Sequence, residues 1–240
     1  MVIKTKEDYK QLINKLKRMS AGEQFISFSY KIIKTQKDII GVRTPDLRKL
    51  AKEISKNEHQ GLYNYYEDKY FEEILIRGLV ICYEKDFIVA TKLLESLYRS
   101  IDNWAIVDMI VGGLAFVKHT EEKMCFEYFK NLTKGDEFTA RFGIVAFMKF
   151  FIYNETWIEK VFDVLKSVEC GKYYVDMAIA WLFAEILVKF PQKALKNMQK
   201  IIKINHFNKF IINKSIQKAC ESYRLDKTIK NKLREMKVKC

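Results

Sequence analysis

Four side chains stand out by type and spacing: Trp104, Asp108, Arg141 and Trp181. Asp108 is the one charged residue between Trp104 and Val117 in IDNWAIVDMIVGGLAFV (101–117). Burying an unpaired carboxylate is costly, because the ionised form loses its hydration without compensation. Either a partner neutralises Asp108, or the surface it faces is wet and used. Trp104 lies four residues earlier, one helical turn, and so shares its face. Arg141 is set in the apolar run EFTARFGIVAFMKFF, and Trp181 follows Tyr174 by seven residues with Glu185 one turn further on. Stacked in parallel register, three such helices would collect two indoles, a carboxylate and a guanidinium on one surface. Indole faces attract cations by about 0.5–2 kcal/mol each, and a carboxylate stabilises positive charge on a sugar as a glycosidic bond breaks. A guanidinium holds a phosphate. Such a group suits a cationic nucleobase leaving a DNA sugar. Other readings of the same residues are an Asp108–Arg141 ion pair that only fixes helix register, and tryptophans that only fill a core.

The elements that must position these residues are helices. Two prolines, nine glycines and apolar residues at three- and four-residue spacing predict an all-α chain. Long apolar helices are expected near 101–117, 137–152 and 172–189, each followed by a shorter, more polar one. Breaks are expected near residues 20–22, 57–61, 84–86, 100–103, 118–120, 134–136, 154–156, 170–171 and 205–206. Thr44-Pro45-Asp46 has the composition of a helix start, with Thr44 as N-cap and Pro45 first in the helix. Pro191 closes one helix and can open the next. A recurrence of about 35–40 residues suggests stacked helical pairs in one domain spanning 1–240, a right-handed HEAT-like solenoid of antiparallel pairs with a concave binding face. A compact all-helical domain without repeats is the alternative.

Composition narrows the class. With 49% apolar and 14% aromatic residues, 240 residues can build a sizeable core. No apolar run is long enough to span a bilayer, and the charged N-terminal stretch does not resemble a signal peptide. Five scattered cysteines without a CxxC, and three isolated histidines, argue for a reducing cytoplasm and against a zinc site. The net charge of +13 is segregated: residues 1–56 carry +8, residues 57–188 carry −7 and residues 189–240 carry +12. Basic ends are suited to a polyanion, although lysines on solvated helix faces give the same pattern.

The runs IIGVRTPDLRKLAKEI (39–54), IDNWAIVD (101–108), ARFGIVAF (140–147), YYVDMAIAWLFAEILVKFP (173–191) and NKSIQKACESYRL (213–225) resemble, in order and spacing, the AlkD-like alkylpurine DNA glycosylases. The resemblance implies a HEAT-like solenoid that binds duplex DNA and removes N3- and N7-alkylated purines as a monomer, with no metal or organic cofactor. It also implies that Asp108 is the catalytic carboxylate, that Trp104 and Trp181 contact the lesion's sugar and backbone, and that Arg141 contacts a phosphate. Tyr30, Arg43, Lys172, Lys214, Lys218 and Arg224 are expected DNA contacts. The chain departs from the family pattern beside the first tryptophan, where Asn103 and Ala105 replace a second aromatic. A non-catalytic HEAT-like scaffold that binds nucleic acid or an acidic protein partner is the competing reading.

Overall fold

Fourteen α-helices occur among residues 1–238, the part of the chain that the computed structural model describes. Packing divides the chain into a unit of Met1–Cys125 and a second that begins at Phe126.

The first unit contains α1 (Lys6–Arg18), α2 (Glu23–Ile33), α3 (Thr44–Ile54), the single turn α4 (Gly61–Asn64), α5 (Phe71–Ile81), α6 (Phe87–Tyr98) and α7 (Trp104–Val111). Helix α5 is its centre and packs on α3, α6 and α7. All eleven of its residues are buried, including Glu72, Glu73 and Arg77. At Gly78 a Cβ would overlap Ile110 of α7, so glycine sets the close approach of the two helices. The two buried carboxylates are satisfied by irregular backbone. Glu72 accepts from the N–H groups of Ile40, Gly41 and Val42 at 2.9, 2.7 and 3.1 Å. Glu73 accepts from Glu67, Asp68, Lys69 and Tyr70 N–H at 2.6–3.2 Å and from the Tyr9 hydroxyl. Arg77 pairs with Asp68, donates to Ser100 Oγ at 3.1 Å, and lies 3.8 Å from the Tyr66 ring centre.

The boundary between the units falls within α8 (Glu122–Leu132). The second unit continues with α9 (Glu137–Phe150), α10 (Glu155–Leu165), α11 (Tyr173–Lys189), α12 (Ala194–Lys203), α13 (Lys209–Glu221) and α14 (Lys227–Glu235). Helices α9, α11 and α13 begin at Glu137, Tyr173 and Lys209, each 36 residues after the last. Helix α11 packs between α9 and α13, while α12 and α14 pack on each other and on α11 and α13 respectively. Helices α11/α12 and α13/α14 thus form stacked pairs, with α9 packed on α11, an arrangement compatible with a helical solenoid.

Two local expectations are corrected. The apolar segment 101–117 is not one long helix. Helix α7 stops at Val111, and one 3₁₀ turn, Ala115–Lys118, follows. The Gly112-Gly113 pair ends it: Gly113 fits where a Cβ would meet Cys82 Sγ at 3.0 Å, and Ala115 N–H then donates to the Cys82 carbonyl at 3.0 Å. Helix α3 begins one residue earlier than its Thr-Pro-Asp signal suggests. Arg43 is its N-cap, and the Thr44 hydroxyl points to Met109 Sδ at 3.7 Å instead of capping. Pro191 behaves as expected, following α11 and opening a 3₁₀ turn before α12.

Burial works to raise the pKa of Glu73, but the hydrogen bonds from Tyr9 and from three backbone N–H groups of residues 67–70 prevail, and its pKa lies below the usual 4.5. A carboxylate with a depressed native pKa contributes stability that is present above its unfolded value and is lost as pH falls through the native one. Urea unfolding across pH is therefore expected to show wild-type stability declining below about pH 4.5. Glu73→Gln should be less stable at neutral pH with a shallower acid limb, and an unchanged acid limb would remove Glu73 from this role.

Candidate functional site

The start of α7 is assembled by three consecutive residues. Asn103 is the N-cap, with extended backbone, and its side-chain oxygen accepts from Ala105 and Ile106 N–H at 3.1 and 3.2 Å. Its amide donates to Asp102 at 2.8 Å, and Asn103 has no solvent exposure. Asp102 also reaches back to the end of α2, accepting from the Thr35 hydroxyl and from Gln36 N–H, each at 2.7 Å. Trp104, the first residue of α7, donates its indole N–H to the Ile32 carbonyl at 3.3 Å. The helix start is thus tied to the end of α2 through side chains, an indole and backbone at once.

Trp104 and Asp108 lie one turn apart on α7 and both are half-buried. This is the face that their spacing predicts. Tyr30, on α2, is 40% exposed, and its hydroxyl accepts from Ile39 N–H at 2.9 Å. Arg43 is exposed at the start of α3, 5.4 Å from the Phe25 ring centre.

The second unit holds the other predicted residues. Arg141, on α9, is only 5% exposed and donates from Nη1 to the Tyr174 carbonyl at 3.0 Å. From the same helix Glu137 accepts Tyr174 N–H at 2.7 Å, so α9 grips both backbone groups of one residue in the first turn of α11. Trp181 is half-buried on α11, two turns beyond Tyr174, or about 10 Å along the axis. Glu185, one turn further, pairs with Arg224 at 3.1 Å. Lys172 precedes α11, is exposed and pairs with Glu169 at 3.0 Å. Lys214 and Lys218 are half-buried on α13.

Sequence reasoning missed Asp102 as an anchor and met Asn103 only as a departure from a pattern. The signal for Asn103 was present, since asparagine just before an apolar helix is a preferred N-cap. For Asp102 no local signal marks the tie to the end of α2, because those partners are 66 and 67 residues away. Cys82, Cys125 and Cys170 offer no nucleophile at neutral pH. Burial pushes the Cys82 thiol up to about 12 and those of Cys125 and Cys170 to about 11.

Replacing the cap tests how far α7 depends on it. Asn103→Ala is expected to cost about 2 kcal/mol in urea unfolding, from the lost cap and the stranded helix N–H groups. Asn103→Ser keeps a capping oxygen without adding a charge beside Asp102, and should retain more stability than the alanine variant. Equal losses in the two would show that the cap is not what holds the helix start.

No curated protein and no solved structure matches the chain. A model of the DNA alkylation repair enzyme family matches residues 12–219, which includes α7, α9 and α11 and every predicted site residue except Arg224. No helix among the described residues is long and apolar enough to cross a membrane. With that match over most of its length, the chain belongs to the DNA alkylation repair enzyme family.

Proposed function

We propose that the chain is a DNA glycosylase that hydrolyses the N-glycosidic bond of cationic N3- and N7-alkylated purines in duplex DNA. The observation that carries this reading is the head of α7. There a half-buried carboxylate, Asp108, sits one turn below a half-buried indole, Trp104, on a helix start fixed by Asn103, Asp102 and Ile32.

The chemistry asks for little more than fixed charge. An alkylated purine already carries positive charge, so it departs without a general acid. What develops in the transition state is positive charge on the sugar, and a preorganised carboxylate stabilises it. Asp108 takes that role and orients the attacking water. The indole faces of Trp104 and Trp181 add cation–π attraction around the sugar. Arg141 is assigned to a phosphate. Its near-complete burial and its bond to the Tyr174 carbonyl make it a fixed donor with little side-chain freedom left to lose on binding. Tyr30, Arg43, Lys172, Lys214, Lys218 and Arg224 are the proposed backbone contacts, and the stacked helix pairs are read as HEAT-like repeats. The reading needs no cofactor and a single copy of the chain.

The deciding experiment is abasic-site formation on duplex DNA carrying 7-methylguanine or 3-methyladenine. The wild type should release the base. Asp108→Asn should lower the single-turnover rate by about 100-fold or more, in the range of losing one electrostatic stabiliser, with duplex affinity and melting temperature little changed. No release at enzyme excess by a protein that still binds the duplex would sink the catalytic claim and leave a DNA-binding scaffold. A loss of folding stability in Asp108→Asn matching the loss of rate would make Asp108 structural.

A further inference from the structure

Four aromatic rings cross the starts of three neighbouring helices in the second unit. Phe138, Tyr174 and Phe210 are each the second residue of their helix, α9, α11 and α13, and so share the 36-residue spacing of the helix starts. The rings of Phe138 and Tyr174 are 5.2 Å apart. Tyr173 continues the series, 5.1 Å from Tyr174 and 6.0 Å from Phe210. The outer end of this ladder is not core, since Tyr173 is 59% and Phe210 41% exposed.

Beside Phe210 opens a groove of about 400 Å³ lined by Lys209, Phe210, Asn213, Lys214, Gln217 and Lys237. Asn213 is committed to structure: its amide donates to the Val238 carbonyl at 3.0 Å and its oxygen accepts Val238 N–H at 2.9 Å. This pins the segment that carries Lys237 against α13. Lys214 donates to the neutral Gln217 at 3.0 Å. Among the described residues, none of the three ammonium groups is paired with a carboxylate. Glu137, the carboxylate at the other end of the ladder, is turned onto the Tyr174 backbone.

Exposed rings in a row next to unpaired cations complement a polyanion that offers flat apolar faces. Nucleobases on a phosphate backbone have that character, but a duplex hides the base faces in its own stack. An unpaired strand exposes them, and base–aromatic stacking beside a basic groove is the usual way such strands are held. An acidic peptide would supply the charge without the faces. We propose that this ladder and groove bind an unpaired DNA strand, with bases stacked on Tyr173 and Phe210 and phosphates along Lys209, Lys214 and Lys237. The choice of DNA rests on the proposed function, whereas the assignment uses none of Trp104, Asp108, Arg141 or Trp181.

The test uses the full chain and a thymidine oligonucleotide of about ten residues carrying 2-aminopurine, whose emission falls on stacking. The wild type should bind and quench it. The double variant Tyr173→Ala, Phe210→Ala should bind at least about tenfold more weakly and lose the quenching. Its duplex affinity should stay within about twofold and its melting temperature unchanged, because both side chains are exposed. Lys209→Ala with Lys237→Ala should reduce the salt dependence of strand binding by a slope of about 1.4, the value for two phosphate contacts on a single strand. Unchanged strand affinity in the aromatic variant overturns the proposal. So does an equal loss on strand and duplex, or tighter binding of polyglutamate than of the oligonucleotide. Base release from a methylated duplex is scored in parallel on both proteins, so a chain that binds the strand without excising refutes only the glycosylase, and one that excises without stacking refutes only this surface.

Discussion

Two adjacent buried carboxylates, Glu72 and Glu73, impose the constraint on which the first unit depends. A helix buried on every side cannot leave such groups without partners, since each would retain its charge without its hydration. The partners are backbone N–H groups of segments that are not helical, residues 40–42 for Glu72 and 67–70 for Glu73. Those N–H groups would be orphans in a loop packed against a helix, so the arrangement satisfies both sides at once. Its consequences run outward. With residues 40–42 fixed, Ala21 N–H donates to the Gly41 carbonyl and the Ser20 hydroxyl to the Ile40 carbonyl, which sets the entry into α2. Ile39 N–H meets Tyr30, and the far end of α2 carries the Ile32 carbonyl and Thr35 that receive Trp104 and Asp102. The position of the indole in the candidate site is thus a remote result of a charge buried in α5.

The second unit solves its positioning problem differently, by tying helix starts sideways. Asp136 and Asn208 cap α9 and α13 with their own side chains, but Lys172 provides no cap for α11. Glu137 of α9 supplies the missing acceptor for Tyr174 N–H, while Asp176 of α11 accepts from Gly171 N–H at 2.9 Å and from the capping Asn208 at 2.7 Å. Each start is bonded to the next, which keeps the 36-residue register aligned in space. The same lateral bonds align Phe138, Tyr174 and Phe210, and they place Arg141 against the first turn of α11.

What was legible in the sequence divides along this line between local and remote causes. Breaks near 84–86, 100–103 and 134–136 were readable because each contains the residue that caps the next helix: Asp86, Asn103 and Asp136 all accept from the first turn they precede. The shared face of Trp104 and Asp108 follows from helical spacing alone. The truncation of α7 was less visible, because an apolar run through Gly112-Gly113 looks continuous until Cys82 is known to press against it. Glu72, Glu73 and Arg77 could not be recognised as buried, since charges in a helix ordinarily signal its solvated face. The partners of Glu72 lie 30–32 residues away and Tyr9 lies 64 from Glu73, beyond any local window.

Tyr9, Tyr63 and the thiols of Cys82, Cys125 and Cys170 all have raised proton affinities, each chiefly through burial. In many enzymes such displacement marks the catalytic centre, because an acid and a base must be tuned to exchange protons near neutrality. Here they trace packing instead: Tyr9 closes the shell around Glu73, and Cys82 fills the contact that ends α7. The chemistry proposed for Trp104 and Asp108 makes a different demand. When the leaving base brings its own positive charge, no group has to be held protonated against its natural tendency. The demand shifts from tuning a proton to fixing a charge in place, which is a problem of geometry. The anchoring of α7 by Asp102, Asn103 and the Trp104 indole answers that kind of demand.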